Sequence, residues 1–230
     1  MKKLIDVRLA LLLAAIFAIS APARAQNLLT NPGFDGTLDP WDTSLYVTFD
    51  AGQSATADGT GSALVELPDS VPPGQFLVLR QCVAVVPGTT YSFGGKMRIS
   101  SASGAGGSGY AFLEWHAASD CSDSRIGVVQ TANAVALPPG PTDVWSTVEG
   151  IVTAPANATY ALMLPTVEIT GPLPVAASGI RREAAVQNLI VNVDDVFLTP
   201  LASTVPMLGA AGLAALVASL AGAAILVLRR

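Results

Sequence analysis

The sequence predicts an all-β domain built as an antiparallel two-sheet sandwich, exported from the cytoplasm and followed by one membrane-spanning helix. Three observations carry this. Short apolar or alternating runs recur at near-regular spacing with Pro, Gly and Asn clusters between them, which is the pattern of strands and tight turns. No segment before residue 205 repeats its apolar residues with a helical period. Both ends of the chain carry the features of export and anchoring.

The N-terminal end begins with a basic stretch, Met1-Lys2-Lys3 to Arg8, followed by the apolar run Leu9 to Ile19 and the small-residue site Ala23-Arg24-Ala25. That order is a secretory signal peptide over residues 1–25, so the mature chain is expected to start at Gln26. Residues 26–200 form the β-sandwich domain and 201–204 a linker, with 205–230 as the C-terminal segment. There, Val205-Pro206-Met207-Leu208 precedes an uncharged apolar run to Leu228, and Arg229-Arg230 close the chain. An apolar helix of about 20 residues spans a bilayer, and the arginine pair favours the cytoplasmic side. The domain is thereby expected outside the cytoplasm, anchored at the inner membrane.

The exported part carries six bases against sixteen acids, a net charge of −10. Such a surface repels nucleic acid and anionic lipid and suits neutral ligands or cations. Cys82 and Cys121 are its only cysteines. An even count in an oxidising compartment implies a Cys82–Cys121 disulfide.

The expected strands follow in order. Asn27 to Asp35 is a short strand entering an Asn-Pro-Gly turn. Leu45–Phe49 and Ser62–Leu67 are short strands, and Gln75–Val86 is one long apolar strand ended by Pro87-Gly88. Thr89–Ser100 alternates through Tyr91, Phe93, Met97 and Ile99. Ser101–Gly109, all Ser, Gly and Ala, is expected as a flexible loop. Tyr110–Ala117 and Arg125–Thr131 are strands around the Cys121 loop. Strands resume at Trp145–Thr153, Thr159–Leu164 and Val186–Leu198, with Thr170–Arg182 as a long Pro/Gly loop. Two Pro-led corners, at Pro87 and Pro155, each place a Tyr shortly after the turn (Tyr91 and Tyr160), as equivalent corners of two sheets would.

Asn27-Leu28-Leu29-Thr30-Asn31-Pro32-Gly33-Phe34-Asp35, then Trp41, Gln81, Pro87-Gly88, Tyr91, Trp145, Ala154 to Ala158 and Val193-Asp194-Asp195-Val196 occur in an order that resembles carbohydrate-binding modules of the family 4/9/22 kind. The resemblance runs from about Asn27 to Pro200 and implies a galactose-binding-like jelly roll. It further implies a structural calcium ion held between the opening turn and the closing strand, by Asp35, Asp194 and Asp195. The tail resembles the PEP-CTERM class of sorting signals, in its IPTL-CTERM variant, on Val205, Pro206, Met207, Leu208, Arg229 and Arg230. It departs from that variant at Met207 and Gly209. This resemblance implies a sorting peptidase of the exosortase type as a partner.

Sugar rings offer apolar faces to aromatic platforms edged by hydrogen-bonding groups. The expected ligand-binding residues are Tyr46, Tyr110, Glu114, Trp115, His116 and Gln130, with a neutral polysaccharide as ligand. Strand alternation puts Glu114 and His116 on one face and Trp115 on the other. Catalysis has little support. His116 is the only histidine, and no nucleophile, zinc or phosphate-loop motif is present. Four glutamates, Glu66, Glu114, Glu149 and Glu168, are the residues from which a glycosidase pair would have to come. The reading is a non-catalytic envelope protein that binds glycan or serves the extracellular matrix. The alternatives are a structural surface protein without sugar activity and, less well supported, a glycoside-active enzyme.

Overall fold

The structure is a computed structural model that describes residues 26–201, apart from 57–58, 69, 138–139 and 173–187. The expected signal peptide, residues 1–25, and the expected C-terminal sorting segment, residues 205–230, lie outside the described residues. Among the described residues, twelve strands run in chain order: β1 (Asp42–Thr43), β2 (Val47–Asp50), β3 (Ser62–Leu67), β4 (Gly74–Leu77), β5 (Leu79–Ala84), β6 (Thr90–Ile99), β7 (Ala105–His116), β8 (Gly127–Gln130), β9 (Val135–Leu137), β10 (Ser146–Thr153), β11 (Tyr160–Pro172) and β12 (Leu189–Pro200). They form two antiparallel sheets. One has seven strands, ordered β1-β5-β11-β7-β8, with β4 paired to β11 and β9 to β7; the other is ordered β10-β6-β12-β3-β2. The chain passes repeatedly from one sheet to the other, as in a jelly roll.

Alternation explains which side chains face inward. On β7 the inner face carries Ala111, Leu113 and Trp115, and on β11 it carries Ala161, Met163, Val167 and Ile169. From the five-stranded sheet, Ala63, Val65, Leu67, Phe93, Met97, Ile99, Val191 and Val193 complete the core. Trp41 and Phe34 close one end, with ring centroids 5.7 Å apart. Trp145 and Phe197 are only partly buried.

The two Pro-led corners are equivalent. The first joins β5 to β6 and the second β10 to β11, so each carries the chain between sheets. They also bond to one another: Val85 N–H donates to the Thr159 carbonyl, and Gly88 N–H to that of Ala154. Tyr91 is buried and its hydroxyl accepts the Val86 N–H at 2.7 Å.

Four expectations are corrected. Asn27–Asp35 is a loop, not a strand, although it is firmly held. Leu28 N–H reaches the Leu198 carbonyl, the Asn27 side chain bridges Val196 O and Leu198 N, and Gln81 bonds both backbone groups of Thr30. Side chains therefore do what a ladder would have done. Gln75–Val86 is broken at Val78, whose N–H turns to the Pro165 carbonyl, leaving two strands that meet different parts of β11. Ser101–Gly109 does not stay a loop, because β7 starts at Ala105. Its glycines are required by close packing rather than flexibility. A Cβ at Gly107 would lie 2.3 Å from both the Glu168 carbonyl oxygen and Leu189, and one at Gly109 would lie 2.7 Å from Met97 Sδ. Finally, β11 continues to Pro172, past the expected start of the Thr170–Arg182 loop.

Candidate binding face

The outer face of the seven-stranded sheet gathers most of the expected ligand residues. Register sets them in rows. Gln75, Glu168, Ser108 and Ala136 form one row, and Leu77, Thr166 and Tyr110 the next. Leu164, Phe112 and Gln130 follow, then Cys82, Leu162, Glu114 and Val128, and last Ala84, Tyr160 and His116.

The disulfide roofs one end of this face. Cys82 and Cys121 are bonded, with their Cα atoms 6.0 Å apart. Cys82 points outward from β5, whereas the loop of residues 117–126 leaves from β7. To reach Cys82 the loop must cross β11, a span of about 10 Å or two strand spacings. The Thr159 hydroxyl donates to the Ala117 carbonyl and anchors the crossing. The last two rows are thus partly covered, and His116 is only 3% exposed. Its Nδ1 lies 2.9 Å from Asp123 Oδ1, while the other Asp123 oxygen accepts the N–H groups of Ala117 and Ala118. The bond from His116, followed by those backbone donors, holds the Asp123 carboxyl below the usual carboxylate range. Arg125 Nη1 reaches Glu114 Oε1 at 2.6 Å.

Beyond this roof Thr166 and Leu164 of β11 lie buried along the middle of the face, between exposed positions on the strands to either side. Phe112 is the partly exposed ring of the face, standing edge-on to Tyr110 with centroids 5.4 Å apart. Tyr110 is 2% exposed, so it forms floor rather than platform. Its hydroxyl lies 3.4 Å from Glu168 Oε2. Burial first, then the Glu168 charge, pushes its pKa up to about 12, so it is a neutral donor at physiological pH. Val128 and Gln130 are exposed on the neighbouring strand β8, and Gln75 and Leu77 are exposed two strands away on β4.

Of the expected ligand residues, Tyr110, Glu114, His116 and Gln130 share this face. Trp115 does not: it is 3% exposed and packs in the core, its ring 6.2 Å from Tyr91. Alternation on a strand that buries one face requires this. Tyr46 is partly buried against the core beside β2, in the other sheet. Sequence reasoning missed Phe112, although the spacing Tyr110, Phe112, Glu114, His116 puts it on the predicted polar face.

The four glutamates do not pair. Glu168 stands opposite Ser108, six residues from Glu114 along β7, which is about 20 Å at strand rise. Glycosidase carboxylates stand roughly 5–9.5 Å apart. Glu66 and Glu149 belong to the other sheet.

The acids Asp35, Asp194 and Asp195 converge at the opposite side of the sandwich. One Oδ1 of each lies 3.6, 3.8 and 3.8 Å from the point where a Cβ on Gly33 would sit. The all-oxygen donor set is chemically suited to a hard cation such as calcium. Asp194 is fully buried and accepts the backbone N–H groups of Ala55 and Asp195; burial raises its pKa. Asp195 already carries a cationic partner, Lys96 Nζ at 2.7 Å. No three His, Cys, Asp or Glu side chains among the described residues stand in metal-ligand geometry.

No known family model matches the sequence, and no curated protein matches it. Solved structures of similar fold include TmCBM61 in complex with β-1,4-galactotriose, at TM-score 0.47 and 16% identity over 77% of this chain and 100% of that one. The CBM22-1 xylan-binding domain of Paenibacillus barcinonensis Xyn10C aligns at 0.49 and 13%, over 80% and 100%. A family 16 carbohydrate-binding module aligns at 0.46 and 17%, over 75% and 99%. All three are carbohydrate-binding modules; at such identities and TM-scores the likeness carries no argument about this chain.

Proposed function

We propose that this chain is an exported, membrane-anchored, non-catalytic module that binds a neutral glycan on the outer face of its seven-stranded sheet. The supporting observation is Phe112, a partly exposed ring held edge-on by Tyr110 and bordered by Gln130 on β8. An apolar sugar face stacks on the ring, and the Gln130 amide beside it exchanges hydrogen bonds with hydroxyls. Glu114 serves as an acceptor at the roofed end. The glutamate separation favours binding over hydrolysis. One ring and a few hydrogen bonds, offset by ordering a flexible sugar, give an affinity of about 10 μM to 1 mM. Isothermal titration with soluble β-glucans and xylans, compared with the Phe112→Ala variant, tests this directly. In the same reading, the tail anchors the domain at the inner membrane and is processed by an exosortase-type peptidase, which releases the domain to the surface or matrix. We also propose that calcium binds where Asp35, Asp194 and Asp195 converge; Gly33 leaves the room a side chain would fill.

A further inference from the structure

The end of the sandwich from which the chain leaves is built without charge. Strand β6 begins there at Thr90 and β11 at Tyr160, while β10 and β12 end there at Thr153 and Pro200. Both Pro-led corners lie at this end, joined by the bond from Gly88 N–H to the Ala154 carbonyl. Leu201 N–H donates to the Thr90 carbonyl, and the Thr90 and Thr153 hydroxyls stand 2.9 Å apart. Residues 83–95, 150–159 and 196–201, which build this end, hold no Asp, Glu, Lys, Arg or His. Val86 (63% exposed) and Leu201 (39%) show apolar side chains to solvent here. Ile151 (69%) does so on β10, just before Thr153. Pro87 and Ala156 are exposed in the two corners. Charge resumes at Glu149 on β10, and at Asp120 and Asp123 in the disulfide loop that leaves β7 after His116.

We propose that this uncharged end seats the domain on the outer surface of the bilayer, with a zwitterionic lipid headgroup layer as its partner. The inference rests on the reading of residues 205–230 as a membrane anchor. The four peptide steps from Leu201 to Val205 reach at most about 14 Å. A headgroup layer is roughly 5–7 Å deep on each side of the hydrocarbon. An anchored tail therefore keeps Leu201 close to that layer, and the surface around Leu201 faces it. Apolar side chains gain by entering the interface. The acids on the rest of the domain do not: anionic lipid repels them, and leaving water costs them their hydration. The exposed Thr153, Asn157 and Thr159 supply hydroxyl and amide groups for headgroup oxygens. The patch is small, so the tail holds the domain and the patch sets its posture. Strands of both sheets begin or end at this patch, and seating it stands them upright. Phe112 lies four residues from His116 along β7, about 14 Å at strand rise, so the glycan face stays clear of lipid.

The test reconstitutes the purified full chain into phosphatidylcholine vesicles whose acyl chains carry bromine, a quencher of nearby tryptophan. Val86→Trp places a reporter in the patch. Val144→Trp places one at the opposite end, next to Asp143, whose N–H bonds the Ile99 carbonyl at the far end of β6, about 30 Å away at strand rise. The emission added by Val86→Trp should shift to the blue and be largely lost, and that added by Val144→Trp should be kept. Adding Leu201→Asp to Val86→Trp should restore most of the lost emission while the chain still floats with the vesicles. Equal quenching of the two reporters would overturn the seating. Quenching undiminished by Leu201→Asp would do the same, since it would reveal tethering alone. Shielding of the Val86→Trp reporter from both brominated lipid and aqueous acrylamide would put a second copy of the chain on the patch, and so overturn the lipid partner. Failure of the wild-type chain to float with the vesicles removes the anchor and the seating together, whereas flotation with both reporters unquenched removes the seating alone. No sugar is present, so the glycan reading stands or falls separately.

Discussion

Phe112 and Tyr110 divide an aromatic site between them: one ring meets the solvent and the other, buried beneath the face, fixes its angle. Phe112→Ala should therefore weaken glycan binding by about tenfold, or ~1.4 kcal/mol, while circular dichroism and melting stay close to wild type. Trp115→Ala should instead unfold or strongly destabilise the domain, by about 3–5 kcal/mol, because it empties a core position. The sequence already separates these roles by period. The alternation that puts Glu114 and His116 outward puts Trp115 inward, but sequence alone does not say which sheet face is covered. Asp143 offers a test by pH. Bonds from Ser101, and the Arg98 charge after them, hold its carboxyl below the usual range. Its contribution is present above the unfolded carboxylate value of about 3.9 and is lost as pH falls through the lower folded value. Melting in Asp143→Asn should be less sensitive to acid between about pH 4 and pH 2 than in the wild type. Equal acid sensitivity in both would refute the assignment.

At the scale of elements, the most legible strands were those whose partners lie in plain alternation. Ser62–Leu67 has the same bounds in sequence and structure. The β6 strand differs from its expected bounds by one residue at each end. What was not legible depends on long-range contacts. The break at Val78 follows from a carbonyl at Pro165, and the strand character of Ala105–Gly109 from Leu189, Met97 and Glu168, which come close only after folding. Gly107→Ala should destabilise the domain by about 1–3 kcal/mol, since the methyl group meets the Glu168 carbonyl as well as the buried Leu189 side chain; a melt unchanged from wild type would show that β7 yields there. The disulfide, by contrast, follows from residue count and compartment alone. It joins residues separated by 39 positions, and the chain-entropy argument assigns it roughly 3–4 kcal/mol. The Cys82→Ala/Cys121→Ala double variant should lose about that much, and protease should then cut the chain within residues 117–126.

For the whole molecule, the two Pro-led corners and the sheet order build a sandwich with a closed core and one outer polar–aromatic face, while the acids gather on its other side. If calcium binds there, melting temperature should rise with added calcium and fall with chelator, because a cation bound only by the native state stabilises it by mass action. Asp35→Ala should remove that response. A melt indifferent to calcium in the wild type would leave Lys96 as the working counter-charge of Asp195. Export and anchoring are tested by protease added to spheroplasts, which should digest the domain, and by deletion of residues 205–230, which should free it from the membrane fraction.

The central claim is neutral-glycan binding at Phe112, and calorimetric titration of the purified full chain with soluble β-glucan and xylan tests it most directly. The account predicts a dissociation constant of about 10 μM to 1 mM for at least one of them. It also predicts little change between low and high salt, because no ion pair forms across the interface, and a loss of about tenfold in Phe112→Ala. Absence of binding to every neutral polysaccharide, or full affinity in a folded Phe112→Ala protein, would contradict it.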